Sequence, residues 1–508
     1  MDVLHTSHIY SKVCSYLTDD DKRKLAYVCP TFRNFCNYTI NINITKDSKT
    51  SDIIDLKNKL KYLNLTFTFS ERYNSVKLIE FAQWVNSIDT KTYIEPIKLN
   101  LVNLSDTNLS TFTNIKHITI FKCCNIVDMS ALKNAETLHF TDCYGIVDVS
   151  SLADVNNLSL SGCSNITDIS KLENVKWLSL DKCSKIRDFS ILGNIRMLDL
   201  SYTNISDVSC LGNVHSLYLN SCYSIRDISA LTNNYLLSLD FCYNIISYSG
   251  LSNIKDISLV ANSIKDVSHL SNAIRINLTC CYNIMDVSTL KDVIDLDLTG
   301  CRLVTDVSML KEVIYLNLTA CDGIKDVSML GNIKTLNLSE CKNITNFSTL
   351  RNVNTLILNN TNICDLTGLE NIYHLSLVNC FKIGDVSMLR NVYKLNLTGC
   401  TIRDVSALGN LYDLNLSRCV QIQNFSKLTN VHILNLSGCK IKSVSTFRNV
   451  YNLNLTNCKQ VRSVSALRNV NTLNLTDCRN IKDVHLLTNV VNLTCNVKPK
   501  RNLFACMS

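Results

Sequence analysis

Apolar residues along most of the chain recur at steps of three, broken once per unit by a step of two. In the window 306–325, DVSMLKEVIYLNLTACDGIK, the apolar positions are Val307, Leu310, Val313, Leu316, Leu318, Cys321 and Ile324, and the next unit opens with Asp326 and Val327. A helix would show a 3.6-residue period and a simple strand would alternate throughout. The one alternating stretch, Leu316-Asn317-Leu318, predicts a short strand with Asn317 facing outward. The steps of three predict turns, 3-10 segments or extended chain that carry the backbone round a coil. The apolar side chains of one unit bury too little surface to offset the ordering of its backbone, so a unit must stack on its neighbours.

The register opens at Asn108 and runs to Asp483, returning every 20 residues, or every 19 where one residue before the Ile is missing, as in Cys400-Thr401-Ile402. The pattern L-x-L-x-x-C-x-x-I resembles the leucine-rich repeat, with Cys where many families carry Asn. The resemblance implies an α/β-type repeat solenoid: a leucine-rich-repeat parallel β-sheet, one strand per unit. About nine residues remain for the convex side, too few for a multi-turn helix, so short 3-10 or extended segments are expected there. Residues 108–495 hold about 20 such units.

Residues 1–40 lack the repeat. Ile9, Val13 and Leu17 share one helix face, and Thr18 with Asp19, Asp20 and Asp21 starts a second helix carrying Leu25, Val28 and Cys29. Pro30-Thr31 breaks that helix and starts a third, with Phe32 and Phe35. The run HIYSKVCSYLTDDDKRKLAYVCPTFRNF resembles an F-box, the helical module by which substrate receptors attach to the Skp1-type adaptor of cullin ubiquitin ligases. Ile9, Val13, Leu17, Leu25, Val28, Cys29 and Phe32 fall on the apolar positions of that family, and the resemblance implies that they contact the adaptor. In front of them, Leu4-His5-Thr6 stands where the family carries Leu-Pro. Residues 41–107 are a transition and cap: 61–69 (KYLNLTFTF) predicts a strand, 75–88 an amphipathic helix and 96–101 a second strand. Residues 496–508 form a basic carboxy-terminal tail.

Each column of the repeat has its own chemistry. Sixteen of the 25 cysteines share one column, where Thr203, Asn262 and Thr361 are the substitutes. Small polar replacements point to packing inside a turn beside backbone groups, and a stack of parallel side chains does not converge on a metal. The Asp-Val-Ser column places carboxylates where they cap free N–H groups at the start of each convex turn. Asn332, Asn352, Asn391 and Asn430, ahead of the strands, are expected to form a ladder bonded to backbone. Outward strand positions in the later half are almost uniformly Asn or Ser, as at Asn317, Ser376 and Asn454. The earlier half is varied: Phe121, His139, Trp177, Lys182, Asp199, Tyr202, Tyr218 and Phe241 are expected on or beside the concave face. Exposed aromatics among charges favour protein contacts, so the partner site is placed on these eight.

A net charge of +8 over 508 residues is mild, and the basic residues are scattered along the sequence, so composition argues for neither nucleic acid nor a membrane surface. The amino terminus has neither the basic region nor the apolar core of a signal peptide, and no apolar run reaches membrane-spanning length. Cys506 is third from the end, so a prenylation box is not formed. A cysteine column used for packing suits a reducing compartment. Glycosylation at Asn-Leu-Thr/Ser sequons such as Asn317 and Asn396 would crowd the sheet, which also argues against secretion. A cytoplasmic or nuclear location is expected. The nine histidines are scattered, and no phosphate loop, metal-ligand spacing or nucleophile elbow is found. The chain is therefore read as a non-enzyme with no cofactor and no metal.

The combination resembles F-box/leucine-rich-repeat substrate receptors, and the Asn-, Ile- and Lys-rich, nearly identical repeats resemble such proteins of giant DNA viruses of amoebae, mimivirus-like. This implies a non-catalytic receptor, monomeric outside its complex, that docks a Skp1-type adaptor and holds a substrate protein for ubiquitination, with the host's ligase if the chain is viral. The alternative is a leucine-rich-repeat scaffold or effector without ligase attachment. Nucleic-acid binding would call for a basic stripe on one face, which the concave Asn/Ser/Thr ladder does not supply.

Overall fold

The computed structural model describes the backbone of residues 39–44, 64–69 and 98–102, and residues 109–496 apart from 110, 111, 113–115, 124 and 127. The F-box-like positions Ile9, Val13, Leu17, Leu25, Val28, Cys29 and Phe32, the helix expected over 75–88 and the tail from 497 lie outside the described residues. The chain divides after Ile254 into two compact units.

Unit 1 carries strands β1 (Thr39–Ile44), β2 (Asn64–Phe69), β3 (Lys98–Val102), β4 (His117–Phe121), β5 (Thr137–Thr141), β6 (Asn157–Ser161), β7 (Trp177–Ser179), β8 (Met197–Asp199), β9 (Ser216–Tyr218) and β10 (Leu236–Ser238). Each pairs in parallel with the next in chain order. β2 and β3 fall where strands are expected. β1 enters the sheet from Thr39, inside the stretch assigned to the helical module, because TININI alternates β-branched and polar residues at a strand's period. Unit 2 continues the rule from β11 (Asp256–Ser258) to β23 (Asn492–Thr494), with Ile257 opposite Ile276 at its start and leucine opposite leucine from Leu296↔Leu316 onward.

One coil of the solenoid shows how the sequence sets the path. Asp306 Oδ1 accepts the Ser308 N–H at 2.9 Å and opens a 3-10 turn, Ser308–Glu312. Within it, the Leu310 N–H donates to Val307 O at 3.0 Å and the Val313 N–H to Leu310 O at 3.2 Å, an i→i+3 ladder that the steps of three bury on one side. Tyr315–Asn317 is the strand, and the Leu318 N–H donates to Asn337 O of the next coil at 2.8 Å. All seven apolar positions of this coil are at most 2% exposed. Among the described residues the convex segments are 3-10 or extended and no α-helix occurs, as the roughly nine residues left for that side lead one to expect.

The cysteine column works as a row of S–H donors between coils. Cys321 Sγ donates to Leu298 O at 3.0 Å, Cys341 to Leu318 O at 3.0 Å and Cys478 to Leu455 O at 2.9 Å, each reaching the preceding coil. Where Thr stands in for Cys, the hydroxyl bonds within its own coil, Thr203 to Leu200 O at 2.7 Å and Thr361 to Leu358 O at 2.8 Å. The Asn row ahead of the strands departs from expectation: Asn352 Nδ2 donates to Asn332 Oδ1 at 3.2 Å and Asn430 Nδ2 to Asn410 Oδ1 at 3.0 Å, side chain to side chain. Just before each cysteine, or its substitute, the backbone turns left-handed, as at Lys182 (φ 61), Ala320 (φ 59) and Gly300 (φ 75). This corner ends the strand and swings the chain toward the convex side.

Candidate binding surfaces

The eight expected partner residues all lie in unit 1, and the structure sorts them into two rows. His139, Asp199 and Tyr218 occupy the outward position between the two buried apolar residues of β5, β8 and β9 (Leu138 and Phe140 around His139, leucines around the others), and Trp177 opens β7. All four are half-buried. The Trp177 ring meets His139 edge-on at 5.6 Å, although β6 lies between their strands, so the indole spans β6, whose outward Ser159 is buried. Burial, with the charge of His117 added to it, holds the His139 imidazole below its ordinary pKa. Asp199 is committed to the fold, its Oδ1 accepting the Ser201 N–H at 2.9 Å.

The second row lies at the end of the strands. Lys182, Tyr202 and Phe241 sit on the left-handed corner, φ 61, 58 and 61, which directs them outward past the sheet. The Lys182 ammonium pairs with Asp181 at 3.1 Å and lies 5.2 Å above the Tyr202 ring. The bond from Asp181 raises the Lys182 pKa above the ordinary lysine value. Tyr202 is 50% exposed and Phe241 39%, and Phe241 meets Tyr243 edge-on at 6.4 Å. Phe121 closes β4 with Lys122 Nζ 4.8 Å above its ring. His139 with Trp177, and Lys182 with Tyr202, are thus brought together, while the eight do not form one cluster.

The later half is less plain than its Asn ladder suggests. Those asparagines are structural: Asn317 Oδ1 accepts both the N–H and the hydroxyl of Thr319, at 3.1 and 2.7 Å, and Asn396 and Asn454 repeat the arrangement with Thr398 and Thr456. The recurring sequon is therefore an Asx turn that fixes the end of each strand. One residue ahead of the strands stands a row that the sequence reading missed. Tyr373, Tyr393, Tyr412, His432 and Tyr451 stack on successive coils, with centroids 4.7, 4.6, 4.9 and 4.8 Å apart and planes within 23° of parallel. The four tyrosines are 37–47% exposed. The signal was present as an aromatic directly after the last apolar residue of five consecutive units, in NIYHL, NVYKL, NLYDL, NVHIL and NVYNL. Among the described residues no group of three or more His, Cys, Asp or Glu could hold a metal ion.

No protein-family model and no curated protein sequence matches the chain. It aligns with solved structures of two internalins from Listeria monocytogenes strain 4b F2365. With InlF the identity is 19% over 82% of this chain and 89% of that one, at a TM-score of 0.23. With InlC2 it is 19% over 40% of this chain and 81% of that one, at 0.26. Likeness at this level carries no argument about partner or activity. The described coils are leucine-rich repeats by their own geometry.

Proposed function

We propose that this chain is a non-catalytic protein-binding receptor: its F-box-like amino terminus docks a Skp1-type adaptor, and unit 1 holds a substrate protein for ubiquitination. The observation that supports substrate binding is the exposed end-of-strand row, where Lys182 and Tyr202 form a cation–π pair and Phe241 stands exposed on the same corner two coils further on. Aromatic and cationic groups held out from a rigid scaffold are the usual anchors of protein interfaces. An intracellular setting belongs to the proposal, and the cysteine column supports it, since reduced thiols are the donors in its bonds to the preceding coils. The replacement of Leu-Pro by Leu4-His5-Thr6 favours a second reading, an interaction scaffold without ligase attachment.

The test is a pull-down of the purified full chain on an immobilised Skp1-type adaptor, beside Val13→Asp/Leu17→Asp and Trp177→Ala/Tyr202→Ala variants. The receptor reading expects binding by the wild type and by the unit 1 variant, and loss in the amino-terminal variant. Equal retention of all three, or of none, at micromolar protein would remove the adaptor from the account.

A further inference from the structure

We propose that the end of unit 2, from Tyr373 to Lys482, is a second docking surface and that its partner is an acidic protein. The inference goes beyond the receptor reading and stands without the adaptor.

The charge in this region is not scattered once the repeat is closed into coils. Residues 433–482 contain eight lysines and arginines and a single acid, Asp477, so this stretch of fifty residues carries most of the chain's net charge of +8. Six of the eight occupy two columns, one directly after the cysteine (Lys440, Lys459, Arg479) and one after the following Ile or Val (Lys442, Arg462, Lys482). All six are exposed, and among the described residues none takes part in an ion pair. The Asp column that would neutralise them has become Ser443 and Ser463 here. The next carboxylate, Asp483, is engaged by the Ser463 hydroxyl and the N–H groups of Val464 and Ser465. Like charges on successive coils about 4.8 Å apart repel, and a negatively charged partner relieves that repulsion. Of the six, Lys459 and Arg479 line a groove beside Gly438 together with Arg418 and Asp477.

The aromatic row decides what kind of acidic partner fits. It runs along the opposite ends of the strands and ends on the coils that carry the basic columns, and spans about 19 Å over four strand steps. Single-stranded nucleic acid would stack its bases on open ring faces. In this row the faces of Tyr393, Tyr412 and His432 are covered on both sides by their neighbours. Ring edges are left to solvent, and between the two rows lie Asn435, Asn454 and Asn474 with their Ser and Thr partners. Tyrosine held rigid beside Asn and Ser is the composition of protein-recognition surfaces, with little ordering cost left to binding.

The experiment uses the full chain and a fluorescent random copolymer of glutamate and tyrosine (4:1), read by anisotropy, with labelled oligo(dT) of matched charge as the competing class. Binding of the copolymer should weaken about tenfold in Lys440→Ser/Lys459→Ser/Arg479→Ser. In Tyr393→Ser/Tyr412→Ser it should weaken about threefold. Both substitutions lie at exposed side chains, and an unchanged melting temperature confirms the fold. In the wild type alone, affinity should fall between low and physiological salt. The proposal is overturned by copolymer binding that neither variant changes, by no binding at all, or by oligo(dT) binding as tightly as the copolymer. The adaptor pull-down on the same variants separates the two readings, since neither substitution touches the F-box-like segment.

Discussion

Two neighbouring coils carry the same left-handed corner on different residues, Ala320 (φ 59) and Gly300 (φ 75), and exchanging these types tests how the corner is held. An L-residue in that region costs roughly 1–2 kcal/mol, while glycine gives back part of the gain through the greater freedom of its unfolded chain, roughly 0.5–1 kcal/mol. Ala320→Gly should therefore stabilise the protein by about 0.5–1 kcal/mol. A Cβ built at Gly300 meets nothing nearer than Cys280 Sγ at 3.5 Å, an ordinary contact, so Gly300→Ala isolates the backbone effect. It should destabilise by about the same amount, and the double exchange should nearly cancel. Gly162 and Gly399 are unsuitable, because a Cβ there would come within 2.3 Å of Asp142 Oδ1 and Asn379 Oδ1. Urea unfolding of the full chain reads the result as a shift in midpoint at constant slope. A stabilised Gly300→Ala, or an Ala320→Gly that loses stability, would falsify the strain argument.

Other perturbations follow from the same coil. Leu318→Ala, at a fully buried position, should cost about 3–5 kcal/mol, and a cost under about 1 kcal/mol in urea titration would mean that the stack is loosely packed. Cys321→Ala should cost about 1–2 kcal/mol for the lost sulfur and its bond to Leu298 O, checked in the same assay. A thiol reagent with peptide mapping should label exposed Cys364 in the native protein while column cysteines stay unlabelled until unfolding, because burial pushes thiols such as Cys301 and Cys419 up to about 12. The Ser308 N–H holds the Asp306 carboxyl below its ordinary value of 3.8. A depressed folded pKa means stability that is complete above that ordinary value and is lost as pH falls through the folded one. Asp306→Asn, which copies the caps already present at Asn346 and Asn424, should keep neutral-pH stability and reduce the loss on acidification, measured by thermal melts across pH 2–7.

Much of the fold was legible because the repeat is periodic in chemistry as well as in spacing. The steps around Leu316 and Leu318 announce a strand of three residues, and the Asp-x-Ser spacing announces a cap, since a carboxylate two residues ahead of the turn's first residue reaches its N–H, as Asp306 does at Ser308. The left-handed corner was not legible. Lys182, Ala320 and Arg418 share it with four glycines, and three such different side chains reveal no common backbone conformation. Stacking on both sides imposes it instead. The aromatic row was hidden for another reason: attention to the outward strand position passes over the residue before the strand, and Tyr393 gains its meaning only from the rings a strand spacing away. The basic columns were missed alike, because Lys440, Lys459 and Arg479 are 19 or 20 residues apart in sequence and adjacent only after coiling. In unit 1 the mixture of aromatic and charged residue types was visible in the sequence, but the corner geometry that divides Tyr202 from Tyr218 is a property of the backbone.

The receptor proposal stands or falls on a single complex. Sedimentation velocity of the full 57.2 kDa chain mixed with purified Skp1-type adaptor, each at about 5 μM, gives the most direct answer. The account expects one faster boundary of one-to-one composition, abolished in Val13→Asp/Leu17→Asp and unchanged in Trp177→Ala/Tyr202→Ala. Two boundaries at the positions of the separate proteins would contradict it and leave the repeats as a scaffold without a ligase.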